Sequence, residues 1–162
     1  MKRLLPMILL AIAGPAGSQT PRPQPVPGPP PRVAPKLEPI AETKLLMVAL
    51  NHPNFKGIER LLRQPPPDMQ SWTFARGQAL VIAETGNLLM LRPPKNQGQE
   101  AWFDRATELR TKATQLARTL AAKEYDASRA GFVELANSCN RCHTAFRVVV
   151  QIEPFSEAAP NP

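Results

Sequence analysis

From Ile40 to Phe146 apolar residues recur every three or four positions, and no stretch alternates with the period of two that marks a half-buried strand. The spacing predicts four helical regions. The first covers about residues 41–63. Pro53 lies inside it, lacks an N–H and crowds the carbonyl four residues back, so a kink or break is expected at Asn51-His52, with Pro53 opening the second piece. Pro65-Pro66-Pro67 ends that region. Asp68 is suited to cap a second helix carrying Trp72, Ala75, Ala79, Ile82, Ala83, Gly86 and Leu89. Pro93-Pro94 closes it. A third helix follows Gly98, with Trp102, Ala106, Leu109, Ala113, Leu116 and Leu120 on one stripe. A fourth is expected after Asp126, a second candidate N-cap, with Phe132, Leu135, Cys139, Cys142 and Phe146 at offsets of 3, 4, 3 and 4. Loops of a few residues join these helices, which predicts an all-α fold: an antiparallel up-down-up-down four-helix bundle.

The N-terminus is patterned differently. Lys2 and Arg3 precede a short apolar core, Leu4 to Ala13, and Ala16-Gly17-Ser18 offers a small-residue cleavage site. Residues 1–18 thus read as a signal peptide, and a periplasmic location is expected. Nine of the 20 prolines fall between Pro21 and Pro39. That excess marks 19–39 as a polyproline-type linker with no core of its own. Residues 40–150 form the expected domain. From Val148 a short extended piece is expected against the bundle, and 151–162 read as a flexible tail.

The chain has 162 residues, a length that suits one domain. Its formal charge of +7 shrinks to 15 basic against 12 acidic residues once 1–39 are set aside. Those charges alternate in sign, as in Glu108-Arg110-Lys112, which describes a solvated helix face and disfavours nucleic acid. No apolar run reaches the roughly 18–20 residues that span a bilayer, so no integral membrane span is expected.

Both cysteines of the chain lie in Cys139-Asn140-Arg141-Cys142-His143, the C-x-x-C-H pattern of covalent haem c attachment. Residues i and i+3 share a helix face, so two thiols there can reach the two vinyl groups of one haem. His143 is the next residue, rotated by roughly 100° and placed to offer a neutral imidazole to the iron. Three other chemistries fit less well. A thioredoxin-type pair wants its first cysteine at a helix N-terminus after a strand. A disulfide between i and i+3 of a continuous helix has poor geometry. Zinc would lack a fourth ligand unless His52 joined. Trp72 and Trp102 have core spacing and read as packing residues. No Ser-His-Asp set, paired carboxylates or phosphate loop appears, so the chain is not expected to be an enzyme.

A C-terminal C-x-x-C-H followed by Thr144-Ala145-Phe146-Arg147, on the last of four helices behind an export signal, resembles the cytochrome c′ family. The resemblance covers about residues 40–148, and Pro53 departs from that family's uninterrupted first helix. It implies haem bound near the C-terminal helix, with His143 as proximal iron ligand and Arg147 beside it. It also implies a basic residue near the haem propionates, matched by Lys44, and a distal residue over the iron. Met47 and Val48 are the matching neighbourhood for the latter. A thioether from Met47 would complete a low-spin electron carrier. Val48 in its place would leave the site open, as in relatives that take up nitric oxide or carbon monoxide. The expected function is that of a periplasmic monohaem electron carrier, with gas binding as the alternative. Arg141 and Arg147, with no acid near them in sequence, suggest a redox partner acidic at its docking surface. The resemblance also admits a helix-packed homodimer.

Overall fold

The computed structural model describes residues 36–156. The expected signal peptide, residues 1–18, residues 19–35 of the proline-rich segment and residues 157–162 lie outside the described part. Within it the protein is all-helical, and no strand occurs among the described residues. The first helical stretch comprises α1 (Thr43–Leu46), a π-helical turn (Met47–Asn51) and α2 (His52–Leu61). Then follow α3 (Met69–Met90), α4 (Gln99–Ala122) and α5 (Tyr125–Ala145).

Each boundary has a local cause. Pro53 falls in the first turn of α2, where its missing N–H costs nothing to α2 itself. The preceding turn widens to the π form and the chain stays helical, so Pro53 produces a local change of pitch where a kink or break was expected. Asp68 caps α3 as its residue type suggests: its carboxylate accepts from the Ser71 N–H at 2.7 Å. That bond holds the Asp68 carboxyl below its ordinary value. Gly98 precedes α4 at φ 80°, a conformation glycine adopts without strain. Asp126 does not cap α5. The helix begins at Tyr125 with Glu124 at the cap position, and Asp126 lies in its first turn. The reversal between α4 and α5 is made instead by Lys123 at φ 59°.

The predicted stripes form the core. Trp72, Ala75, Ala79, Ile82, Ala83 and Leu89 of α3 are buried with Ala106, Leu109, Ala113, Leu116 and Leu120 of α4. Small residues dominate the α3–α4 seam, and Gly86 marks its tightest point. A Cβ at Gly86 would stand 2.9 Å from the Ala106 carbonyl oxygen. Phe132 of α5 is fully buried and stacks on Phe55 of α2, centroids 4.3 Å apart. At the end of α2, the Leu62 carbonyl accepts from Tyr125 Oη at 3.1 Å and from Arg129 Nη1 at 2.6 Å. This satisfies an orphan helix-end acceptor and ties α2 to the start of α5.

Beyond α5 the chain turns back as a strap, residues 148–156. Ile152 and Phe155 pack on the core, so the first residues of the expected flexible tail are anchored. Phe155 lies 5.3 Å from the Phe132 ring, and the Arg129 guanidinium stands 4.0 Å over the Phe155 ring. Its N–H donates to Glu59 Oε1 at 2.6 Å. Glu59 is 3% exposed, and Lys56 Nζ on its second oxygen at 2.7 Å supplies the countercharge such burial requires.

Candidate functional site

The last two turns of α5 carry the chemistry. Leu135, Cys139, Cys142 and Phe146 follow one another at helical offsets along the inward side, His143 stands one position past Cys142 and half-buried, and both cysteines are free and partly buried. Loss of water pushes the Cys139 thiol up to about 12, with Cys142 beside it adding to the rise. Cys142 is raised by the same loss of solvation, which Arg105 opposes. Both therefore stand as neutral thiols near pH 7. A nucleophilic redox pair needs the opposite, a thiolate favoured by a helix N-terminus or a cation.

The imidazole of His143 is oriented from outside its own helix. Its Nδ1 lies 2.7 Å from the Val150 carbonyl oxygen. A carbonyl only accepts, so this contact calls for the proton on Nδ1, and in the neutral ring Nε2 then keeps its lone pair. Metal-binding histidines are commonly set this way. The turn that brings Val150 back is a Schellman closure of α5. Val148 N–H donates to the His143 carbonyl at 2.8 Å and Arg147 N–H to the Thr144 carbonyl at 3.3 Å. Arg147 takes the left-handed position of this motif, φ 58°, where glycine is usual. Asn140 then grips the strap by both ends of its amide. Nδ2 donates to the Ile152 carbonyl at 2.9 Å, and Ile152 N–H donates to Oδ1 at 2.7 Å.

Aromatic and basic side chains surround this region. Trp102 of α4 meets the Phe146 ring edge-on at 5.0 Å and donates from Nε1 to the Leu89 carbonyl at 2.7 Å. Arg92, just beyond α3, donates to the Ala41 carbonyl at 2.9 Å. These contacts draw the end of α3, the start of α4, the end of α5 and the approach to α1 into one neighbourhood. Arg141 is engaged with Glu108 of α4, Nε to Oε1 at 2.8 Å, and Arg105 bonds the other oxygen of that carboxylate. The free basic pair expected from the sequence is thus reduced to Arg147, which is exposed.

On the first helical stretch the π turn separates the two distal candidates. Met47 packs on the core, whereas Val48 is 60% exposed. The Met47 thioether receives Asn51 Nδ2 at 3.4 Å. Beyond its neighbours α1 and α2 in the same stretch, the turn packs on α3. Lys44 is exposed, and no described contact brings it to α5. His52 is exposed as well. Among the described residues no three His, Cys, Asp or Glu side chains gather into a metal cage, so zinc gains no fourth ligand from His52.

The donor set suits haem c: two protonated thiols one turn apart on an inward face, followed by an imidazole whose Nδ1 is already committed. A groove of about 570 Å³ between α4 and α5 runs past Asn140, Arg141 and Thr144 on the other side of these turns, and one of about 520 Å³ lies along α3 from Gln70 to Val81; neither is lined by the thiols or by His143. The extended piece expected from Val148 is present, but the roles of Asn140 and Glu59 in fastening it, and its reach to Phe155, escaped the sequence reading. The run Val148-Val149-Val150 with Ile152 and Phe155 was the available signal, since a solvated tail has little use for so many apolar residues.

No protein-family model matches this chain, and neither a characterised protein nor a solved structure matches it significantly.

Proposed function

We propose that the chain is an exported monohaem c-type cytochrome. In this reading its helices form an antiparallel up-down-up-down bundle of the cytochrome c′ type, with haem c bound near α5. The observation that carries it is the His143 ring: its Nδ1 faces the Val150 carbonyl while it stands next to two free, protonated thiols.

Cys139 and Cys142 hold the group covalently. Attachment would add each S–H across one vinyl C=C, sulfur to one carbon and hydrogen to the other, so no oxidant would be consumed. Reduced cysteines are the form this step would start from, and both are free. His143 offers Nε2 as proximal ligand. The bound iron supplies one-electron chemistry between two oxidation states. Trp102 and Phe146, packed edge to face, would keep water and charge low beside it, which limits reorganisation on electron transfer. The protein is on this account a carrier and not an enzyme, located in the periplasm and serving redox partners that are acidic where they dock.

Met47 is the favoured sixth ligand, because it is the distal candidate that faces inward. One observation favours the alternative, gas binding at an open site. The Met47 sulfur already takes a hydrogen bond from Asn51, on a turn that packs on α3 and α2. Oxidised and reduced absorption spectra of the haem-loaded protein separate the two. A low-spin oxidised form with a sulfur-to-iron charge-transfer band, lost in Met47→Ala, supports the electron carrier. A high-spin form that binds nitric oxide readily moves the function to gas binding and removes Met47 from the iron.

A further inference from the structure

Resting on the haem reading, we propose that Asn140 is a positioning residue for the iron ligand. By clamping Ile152 it holds the Val150 carbonyl on Nδ1 of His143, and so fixes the tautomer and electron-donating strength of the imidazole.

The argument starts from what α5 does not fix. The ring torsion of histidine is broad, and nothing on the helix itself bonds the His143 ring. Its one described partner, the Val150 carbonyl, belongs to irregular chain seven residues further on. An irregular carbonyl is a reliable acceptor only if the backbone on both sides is pinned. Upstream, Val148 N–H is bonded to the His143 carbonyl at 2.8 Å. Downstream, Asn140 binds both the N–H and the C=O of Ile152, at 2.7 and 2.9 Å, as a neighbouring strand residue would. Val150 is therefore bracketed with one free residue on each side. The two variable positions of the C-x-x-C-H motif divide the labour: Arg141 joins α5 to α4 through Glu108, and Asn140 joins α5 to the strap.

The consequence is electronic as well as geometric. A proton shared from Nδ1 to a carbonyl makes Nε2 a stronger donor, which favours the oxidised metal and lowers the reduction potential. Releasing the carbonyl has the opposite effect.

The test uses Asn140→Ala, Asn140→Asp and Ile152→Pro in the full chain, with three readouts. They are the midpoint potential of the haem-loaded protein, nitrogen chemical shifts of the His143 ring before haem loading, and hydrogen exchange of the Val150 and Ile152 amides. Ile152→Pro removes the donated N–H by an independent route and is read without its own amide. Two net hydrogen bonds of about 1 kcal/mol each correspond to a loss of roughly ten- to thirtyfold in Ile152 protection for Asn140→Ala. The expected result is that loss, a higher midpoint potential, and a His143 ring that no longer favours the Nδ1–H tautomer. Asn140→Asp keeps the acceptor and loses the donor, so it falls between. Phe155→Ala loosens the far end of the strap and leaves the potential unchanged. An Asn140→Ala protein with lost Ile152 protection but the wild-type potential and tautomer overturns the proposal, as does unchanged protection. Failure of the haem reading shows separately, as a wild-type chain without covalent haem. The clamp then stands or falls on the tautomer and exchange data alone.

Discussion

Val148 donates its N–H to the carbonyl oxygen of His143 at 2.8 Å, and the residue between helix and strap that makes this possible, Arg147, has φ 58°. A side chain at that angle meets its own backbone, at a cost of roughly 1–2 kcal/mol that glycine avoids. Arg147→Gly is therefore expected to raise unfolding stability by up to about 1 kcal/mol in chemical denaturation, glycine's greater unfolded-state entropy offsetting part of the relief. A loss of stability would mean that the arginine side chain holds the turn by contacts of its own.

The α3–α4 seam makes the opposite demand at Gly86. A Cβ there would stand 2.9 Å from both the Ala106 carbonyl oxygen and Arg110 Cβ, so a backbone must move. Gly86→Val should cost about 1–3 kcal/mol, the usual range for overpacking, against little effect for Gly77→Val, whose Cβ would meet nothing within 4 Å beyond a small β-branch penalty. Equal effects at the two sites would contradict the close approach.

Before haem is attached, the thiols should be poor nucleophiles near pH 7. Burial raises Cys139 to about 12 and raises Cys142 as well, against 9.0 for a free thiol. Alkylation of the folded, haem-free chain is expected to be slow near neutrality and to quicken with alkali. The sign for stability follows from linkage. Above pH 9 the unfolded chain has lost thiol protons that the folded chain still holds, so folding stability is fully present below that pH and falls towards 12. Rapid labelling at pH 7, or stability flat across that window in Cys139→Ser as in wild type, would refute it.

Arg141 is partly neutralised by Glu108, which Arg105 also holds. Electron transfer to an acidic partner should slow as salt rises, and Glu108→Gln should quicken it at low salt by leaving two arginines unopposed. Rates indifferent to both ionic strength and Glu108→Gln would confine these charges to a structural role.

Periodicity made the helices legible. The stripes from Trp72 to Leu89 and from Trp102 to Leu120 need only the 3.6-residue repeat, and most of their members are buried or partly buried. Asp68 was legible because a cap acts within three residues. Asp126 misled for the same reason: a good cap residue stands near the start of α5, but Lys123 in the left-handed region starts that helix earlier. The response to Pro53 was hidden, because a missing N–H can be absorbed by a break or by a wider turn and tertiary packing selects between them. An extended piece after Val148 was legible, but what fastens it was hidden more deeply. Its bonds join Phe155 to Glu59, 96 residues away, and no local pattern encodes that separation.

The central claim is covalent haem on Cys139 and Cys142, and the most direct measurement is the mass of the intact chain under denaturing conditions. The full 162-residue chain should be produced in a host that matures c-type cytochromes. The account predicts a mass increased by one haem that resists acid and organic extraction, and the mass of the bare polypeptide for the Cys139→Ala, Cys142→Ala double variant. A wild-type chain at the bare polypeptide mass, or haem that extracts freely, would contradict it.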